Sequence, residues 1–231
     1  MHHYLAFILS FIISVLMANV THSSPAYAPY PAQAVSTAAT PTTLDPATLT
    51  GGGSLSGGNL TYSSTGSASV VRSTKYATTK FYLEVTLTAG VSGSGNFALG
   101  VVDSTQATVT PNSIATVTNK MWLNRNDSLA LNNGSSSAYG SNYGSGSVMS
   151  IAIDNTLGSG SGKIWVGRCS GGTITWPSSG DPTTGANPMF SNLTGSIGLL
   201  LNTQSSATFT MTVNFGHTAY SCTAPSGYGN L

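Results

Sequence analysis

The segment Thr208 to Phe215 reads TFTMTVNF, and its strict alternation constrains the chain more than any other feature. Phe209, Met211, Val213 and Phe215 fall on one side of an extended strand, and Thr208, Thr210, Thr212 and Asn214 on the other. Successive side chains of a strand point to opposite faces, so this is one buried and one wetted face of an antiparallel sheet. Lys80 to Leu87, KFYLEVTL, repeats the pattern, with Phe81, Leu83, Val85 and Leu87 set against Tyr82, Glu84 and Thr86. Asn96–Val102, Val148–Ile153, Lys163–Val166 and Ile197–Leu201 read as further strands. GVSGSG (Gly90–Gly95) and NTLGSGSG (Asn155–Gly162) read as the turns between neighbours. No stripe of helical period follows Leu49. Many short strands with Gly- and Ser-rich turns predict an all-β sandwich or barrel from Leu49 to Leu231. Phe81, Val85, Ile151, Ile153, Leu199, Phe209, Met211, Val213 and Phe215 are its expected core.

Charge narrows the function classes. Asp, Glu, Lys and Arg make up 6% of the 231 residues, and the net charge is +1. Seven cations cannot build the counterion-releasing surface that DNA, RNA or an anionic membrane requires. Polarity comes instead from 35 Ser and 31 Thr. Five Asp and one Glu argue against a carboxylate-rich metal or phosphoryl-transfer centre, and no cofactor is implied. Glycoside hydrolysis needs two carboxylates about 5–10 Å apart. Glu84 lies mid-strand and the Asp residues lie at strand ends or turns, so no catalytic set is assigned. Asp181 in Ser-Gly-Asp-Pro reads as a turn former. A calcium site would have to be assembled from Asp127 and neighbouring Asn residues, and no metal ligand is assigned.

The first residues read as an export signal. Leu5–Val20 is apolar but shorter than the roughly 20 residues that span a bilayer. Ala26-Tyr27-Ala28 has the small-x-small form of a cleavage site, so residues 1–28 are expected to be a signal peptide cut after Ala28. An uncleaved anchor is the alternative. Three of the four histidines leave with that peptide, and His217 remains. Residues 29–48, rich in Pro, Ala and Thr, read as an extended linker. The expected location is outside the cell or on its surface, with no membrane contact after cleavage.

Two stretches have the composition of recognition surface. Trp122–Asp127 reads WLNRND and supplies Arg125, Asn126 and Asp127. Asn132–Ser147 reads NNGSSSAYGSNYGSGS and places Tyr139 and Tyr143 among small residues, as adaptable binding loops do. Trp176 is a third aromatic able to stack on a sugar ring. The alternative is that Tyr139 and Tyr143 pin a long loop to the sandwich edge. Trp122 and Trp165 lie beside apolar runs and read as core. Cys169 and Cys222 invite a disulfide in an exported chain, although their spacing alone does not bring them together.

Taken in order, the segments form a longer pattern: LDPAT, LSGGNLTYSS, VRST, KFYLEVTL, NFALGVVD, SVMSIAID, GKIWVGR, WPSSGDPTTGANPMFSNLTG and VNFGHTAYSCTAPSGYGNL. This order, from Leu44 to Leu231, resembles SPRY domains, and most of all the short SPRY-like proteins of bacteriophages and prophages. The resemblance implies a bent sandwich of two antiparallel sheets, similar to concanavalin-type lectins. It also implies a non-catalytic binding module that uses loops at one end or face, with a protein or glycan on a cell or virion surface as partner. A structural part of a phage-derived virion or appendage is the alternative it allows. In that resemblance Glu84 and Asp154 match structural positions. The chain departs from the phage proteins in its export signal and in having Cys169 and Cys222.

Overall fold

A computed structural model describes residues 40–89, 97–106, 109, 111, 120–124, 129–132, 135–140, 143–156, 160–203 and 208–231. The strands are β1 (Thr50–Ser56), β2 (Thr61–Arg72), β3 (Lys80–Ala89), β4 (Phe97–Asp103), β5 (Lys120–Asn124), β6 (Leu129–Asn132) and β7 (Ser135–Ala138), then β8 (Val148–Asp154), β9 (Gly162–Ser170), β10 (Thr173–Thr175), β11 (Phe190–Leu193), β12 (Ile197–Thr203) and β13 (Thr208–Asn214). Among the described residues two short turns carry the 3-10 hydrogen-bond pattern, Pro46–Thr48 and Pro177–Ser179, and the second is not helical in its backbone angles at Ser178. Asp45 caps the first by accepting a hydrogen bond from the Ala47 amide at 2.9 Å.

The strands form one ladder in the order β10-β9-β8-β3-β13-β2-β12-β4-β5-β6-β7, with β1 on β2 and β11 on β9. All its strand pairs are antiparallel. β2 joins the two halves. Its residues 61–65 pair with β13, and its residues 69–72 pair with β12. Between them Gly66 takes φ of +94°, a conformation that costs glycine little. Tyr62 spans the bend: its hydroxyl bonds to Ser69 seven residues on and reaches Thr203 on β12. The ladder thus folds at β2 into two facing sheets.

The alternation of each strand fills the space between them. Phe81, Leu83, Val85 and Leu87 of β3 share one core with Phe97, Leu99 and Val101 of β4 and with Leu199 and Leu201 of β12. Phe209 packs beside Tyr62 at 6.1 Å and Phe97 at 5.3 Å between ring centroids. Every residue of the expected core is buried.

Three expectations change. The fold begins before Leu49: the compact unit is Thr40–Leu231, and Leu44 is wholly buried in the main core while it bridges Ser73. Part of the expected linker is therefore core, because one apolar side chain in a Thr- and Pro-rich run finds a pocket. Tyr82 and Glu84 sit on the outward face of β3, as the alternation requires, yet both are buried. That face is covered by the closing segment 215–231, so outward does not mean wetted. Finally, Trp122–Asn124 lies in β5, and Asn132–Ser147 contains β7, where loops were expected. The expected turn Gly90–Gly95 lies outside the described residues.

Candidate binding surface

Two segments lie over the outer face of the first sheet. The closing segment crosses β3. The Glu84 carboxylate rises from that strand and accepts the backbone N–H of Ser221 at 2.7 Å and of Cys222 at 2.9 Å. It also accepts the Tyr82 hydroxyl at 2.9 Å. Tyr220 stacks edge-on against Tyr82 at 4.7 Å and donates its hydroxyl to the Tyr82 carbonyl. Cys222 is bonded to Cys169 of β9, with Cα atoms 5.9 Å apart. The chain's only glutamate is thus a structural anchor: it accepts two backbone donors of the closing segment, and burial would otherwise leave that of Cys222 unsatisfied.

The second segment is the loop 176–187, WPSSGDPTTGAN. Ser178 and Ser179 both have φ of +56°, and Asn187 has φ of +43°. A serine in left-handed geometry costs roughly 1–3 kcal/mol and persists only where surrounding contacts impose it. Those contacts are present. Asp181 and Ala186 exchange two backbone hydrogen bonds at 3.0 Å. The Asp181 carboxylate accepts from the Thr183 amide and the Thr184 hydroxyl, both at 2.8 Å. Below the loop, Trp165 donates its indole N–H to Ala186, Lys163 donates to Gly185, and Tyr228 donates to Pro182. Trp176 lies on Gly167, where a Cβ would meet its ring at 2.5 Å. The result is a braced loop that exposes Ser178, Ser179, Thr183, Thr184 and Asn187.

Electrostatics follow the same arrangement. The Thr184 hydroxyl, with the neighbouring amides, holds the exposed Asp181 carboxyl below its ordinary range. Burial acts to raise Asp154, but the Thr156 hydrogen bonds and Lys80, at 3.0 Å, outweigh it and leave its carboxyl lowered. Burial pushes the phenols of Tyr139 and Tyr220 up to about 12, and raises Tyr62, Tyr82, Tyr143 and Tyr228 as well. These groups stay neutral in the fold after they begin to ionise in the unfolded chain. Their contribution is therefore complete below their ordinary value of 10.0 and is lost as pH climbs toward about 12. Melting followed against pH should show a steep fall across that window, with tyrosinate absorbance rising together with unfolding. Ionisation of these six phenols at their ordinary value in a still-folded chain would contradict this.

Of the sequence-derived site residues, Tyr139, Tyr143 and Trp176 are described. Arg125, Asn126 and Asp127 lie outside the described residues. Tyr139 and Tyr143 are 6% and 5% exposed and belong to the main core. The Tyr139 hydroxyl lies against the backbone of Val166, and Arg168 sits 5.8 Å above the Tyr143 ring. Both tyrosines bind the chain between β7 and β8 onto β9, so they are pins and not surface contacts. Trp176 is half-buried at the base of the braced loop. Trp165 is core, as expected, and the side chain of Trp122 lies outside the described residues. No group of three or more His, Cys, Asp or Glu able to hold a metal occurs among the described residues. Sequence reading missed the loop 176–187. Its prolines and Asp181 mark a turn, but nothing local shows that two serines are held left-handed.

No protein-family model matches the chain, and no curated protein sequence matches it. Solved structures do. The SPRY domain of human HERC1 matches with a TM-score of 0.55 and 14% identity, over 76% of this chain and 99% of that one. A second human SPRY domain matches with a TM-score of 0.50 and 15% identity, over 74% and 99%. Stonustoxin matches with a TM-score of 0.52 and 16% identity, over 75% of this chain and 27% of the toxin chain. The fold is that of SPRY domains, an all-β antiparallel sandwich.

Proposed function

We propose that this chain is an exported, non-catalytic binding module that holds a protein partner on the braced loop 176–187. The observation that carries the reading is the pair of left-handed serines at the exposed crest of a loop fastened from below by Trp165, Lys163 and Tyr228. A surface ordered before its partner arrives loses little conformational entropy on binding. Its exposed groups are hydroxyls, an amide and backbone, which suits a neutral, hydrogen-bonding partner surface. The likeness to SPRY domains, known as binding modules, supports the same reading. The disulfide supports export, since such bonds persist in oxidising compartments; so does the apolar segment ahead of Ala26-Tyr27-Ala28. A non-catalytic role is supported by the engagement of Asp45, Glu84, Asp103, Asp154 and Asp181 in capping, bracing or pairing contacts.

The test is capture of partners from a surface extract of the producing cell by the immobilised chain. Thr183→Arg adds bulk and charge to the crest, and Asp181→Ala removes the brace. Both variants should lose capture, with melting temperatures within a few degrees of the parent. Full capture by folded Thr183→Arg would remove the loop from the interface. Capture that survives protease treatment of the extract but not periodate would replace the protein partner with a glycan.

A further inference from the structure

An Asn-x-Ser/Thr triplet is the acceptor signal for an N-linked glycan, and it is used at the surface of exported chains. Asn59-Leu60-Thr61 and Asn192-Leu193-Thr194 are such triplets in the described residues, and those that begin at Asn19, Asn126 and Asn133 lie outside them. In a chain this rich in Ser and Thr the triplet arises by chance, so the motif alone selects nothing. The structure separates the two described triplets.

Asn192 stands in β11 where the register with β9 shifts between Phe190 and Leu193. Its φ is +69°, a left-handed geometry that asparagine tolerates better than most residues with a side chain. Asn192 and Thr194 are both exposed, while Leu193 between them is buried in the main core. The leucine pins the triplet and leaves its two polar side chains on the surface. Asn59 differs: it is half-buried, its carbonyl accepts the Leu44 amide at 2.9 Å, and the Thr61 hydroxyl pairs with that of Thr212 at 3.2 Å. β11 is also an edge, since β9 is its one strand partner among the described residues. An open edge templates pairing with other chains, and proteins blunt it with charge or proline. Phe190–Leu193, FSNL, carries neither.

We propose that Asn192 carries an N-linked glycan, and that this glycan shields the edge strand β11. The proposal rests on the export proposed above and not on the binding role of the loop 176–187. The co-reactant is a polyprenyl-pyrophosphate-linked oligosaccharide, met during export. The Asn192 side-chain nitrogen attacks the anomeric carbon of its first sugar. The N–C bond forms as the C–O bond to the pyrophosphate breaks, polyprenyl pyrophosphate leaves, and the amide proton passes to the transferase. The product is a bulky, hydrated group, which adds solubility to a chain with only 6% charged residues.

The test recovers the full chain from its producing cell and the surrounding medium, sequences its N-terminus, and reads Asn192 by peptide mass spectrometry. Asn192 should carry a sugar-bearing mass, and peptide N-glycosidase in heavy-oxygen water should convert it to labelled Asp. Thr194→Val keeps the acceptor and should abolish its modification, and Thr194→Ser should keep part of it. Asn59→Gln should leave the occupancy of Asn192 unchanged. Enzymatic removal of the glycan from the folded chain should leave its melting temperature nearly unchanged and increase self-association in sedimentation. Unchanged self-association would overturn the shielding role. A chain that begins at Pro29 with Asn192 unmodified overturns the proposal and leaves export standing. A chain kept inside the cell with Met1 intact overturns export and this proposal with it. A mass on Asn192 that persists in Thr194→Val, or that resists the glycosidase, overturns the N-glycan assignment.

Discussion

Replacing Cys169 and Cys222 with Ser should lower stability by about 4 kcal/mol. The bond closes a loop of 53 residues, and in the chain-entropy account that loop length sets the magnitude. The structural consequence should be local. The segment 215–231 lies over Tyr82, Ala152 and Trp165, so its backbone amides should lose hydrogen-exchange protection first, while those of β4 and β12 keep theirs. Guanidinium unfolding of the double variant measures the first effect and exchange followed by residue the second. A loss under about 1 kcal/mol would show that the remaining contacts of the segment suffice to restrain the chain.

Glu84→Gln should cost about 3 kcal/mol, although it removes no atom of bulk. The carboxylate accepts from three donors, two of them backbone amides of the closing segment. A glutamine has one accepting oxygen, so its amide nitrogen must meet at least one of those donors with a donor of its own. The cost of Glu84→Gln should also fall by at least about 1 kcal/mol once the disulfide is removed, because both devices fasten the same segment. Strict additivity in the double-mutant cycle would mean that Glu84 stabilises something other than this segment. Aspartate is no substitute, since it shortens the reach to Ser221 and Cys222.

Much of the fold is readable from local order. The alternation in Lys80–Leu87 and Thr208–Phe215 identifies strands and assigns inward residues, because a strand places every second side chain on one face whatever it pairs with. The Gly- and Ser-rich β1 and β2 escaped this reading. Their inward positions mix Gly and Ser with Leu55, Tyr62 and Val71, which blurs the alternation, and the buried hydroxyl contacts of Tyr62, Ser69 and Thr203 join residues up to 141 positions apart.

The candidate site was less legible, for a related reason. Composition singled out Tyr139 and Tyr143 because Tyr among Ser, Gly and Asn suits a binding loop, but the same residues suit a loop that must be pinned. Which use applies depends on whether β9 lies beneath them, and no local pattern records that. The outward face of β3 behaves alike: period two places Tyr82 and Glu84 outside the sandwich, and only the closing segment, 138 residues away, makes that outside an interior. By itself the sequence determined the strand class, the inward core and the scarcity of charge, since each is set by neighbouring residues or by simple counts. The tertiary structure decided which outward residues are covered and which serines are held left-handed, because each of these depends on contacts between segments that chain order does not bring together.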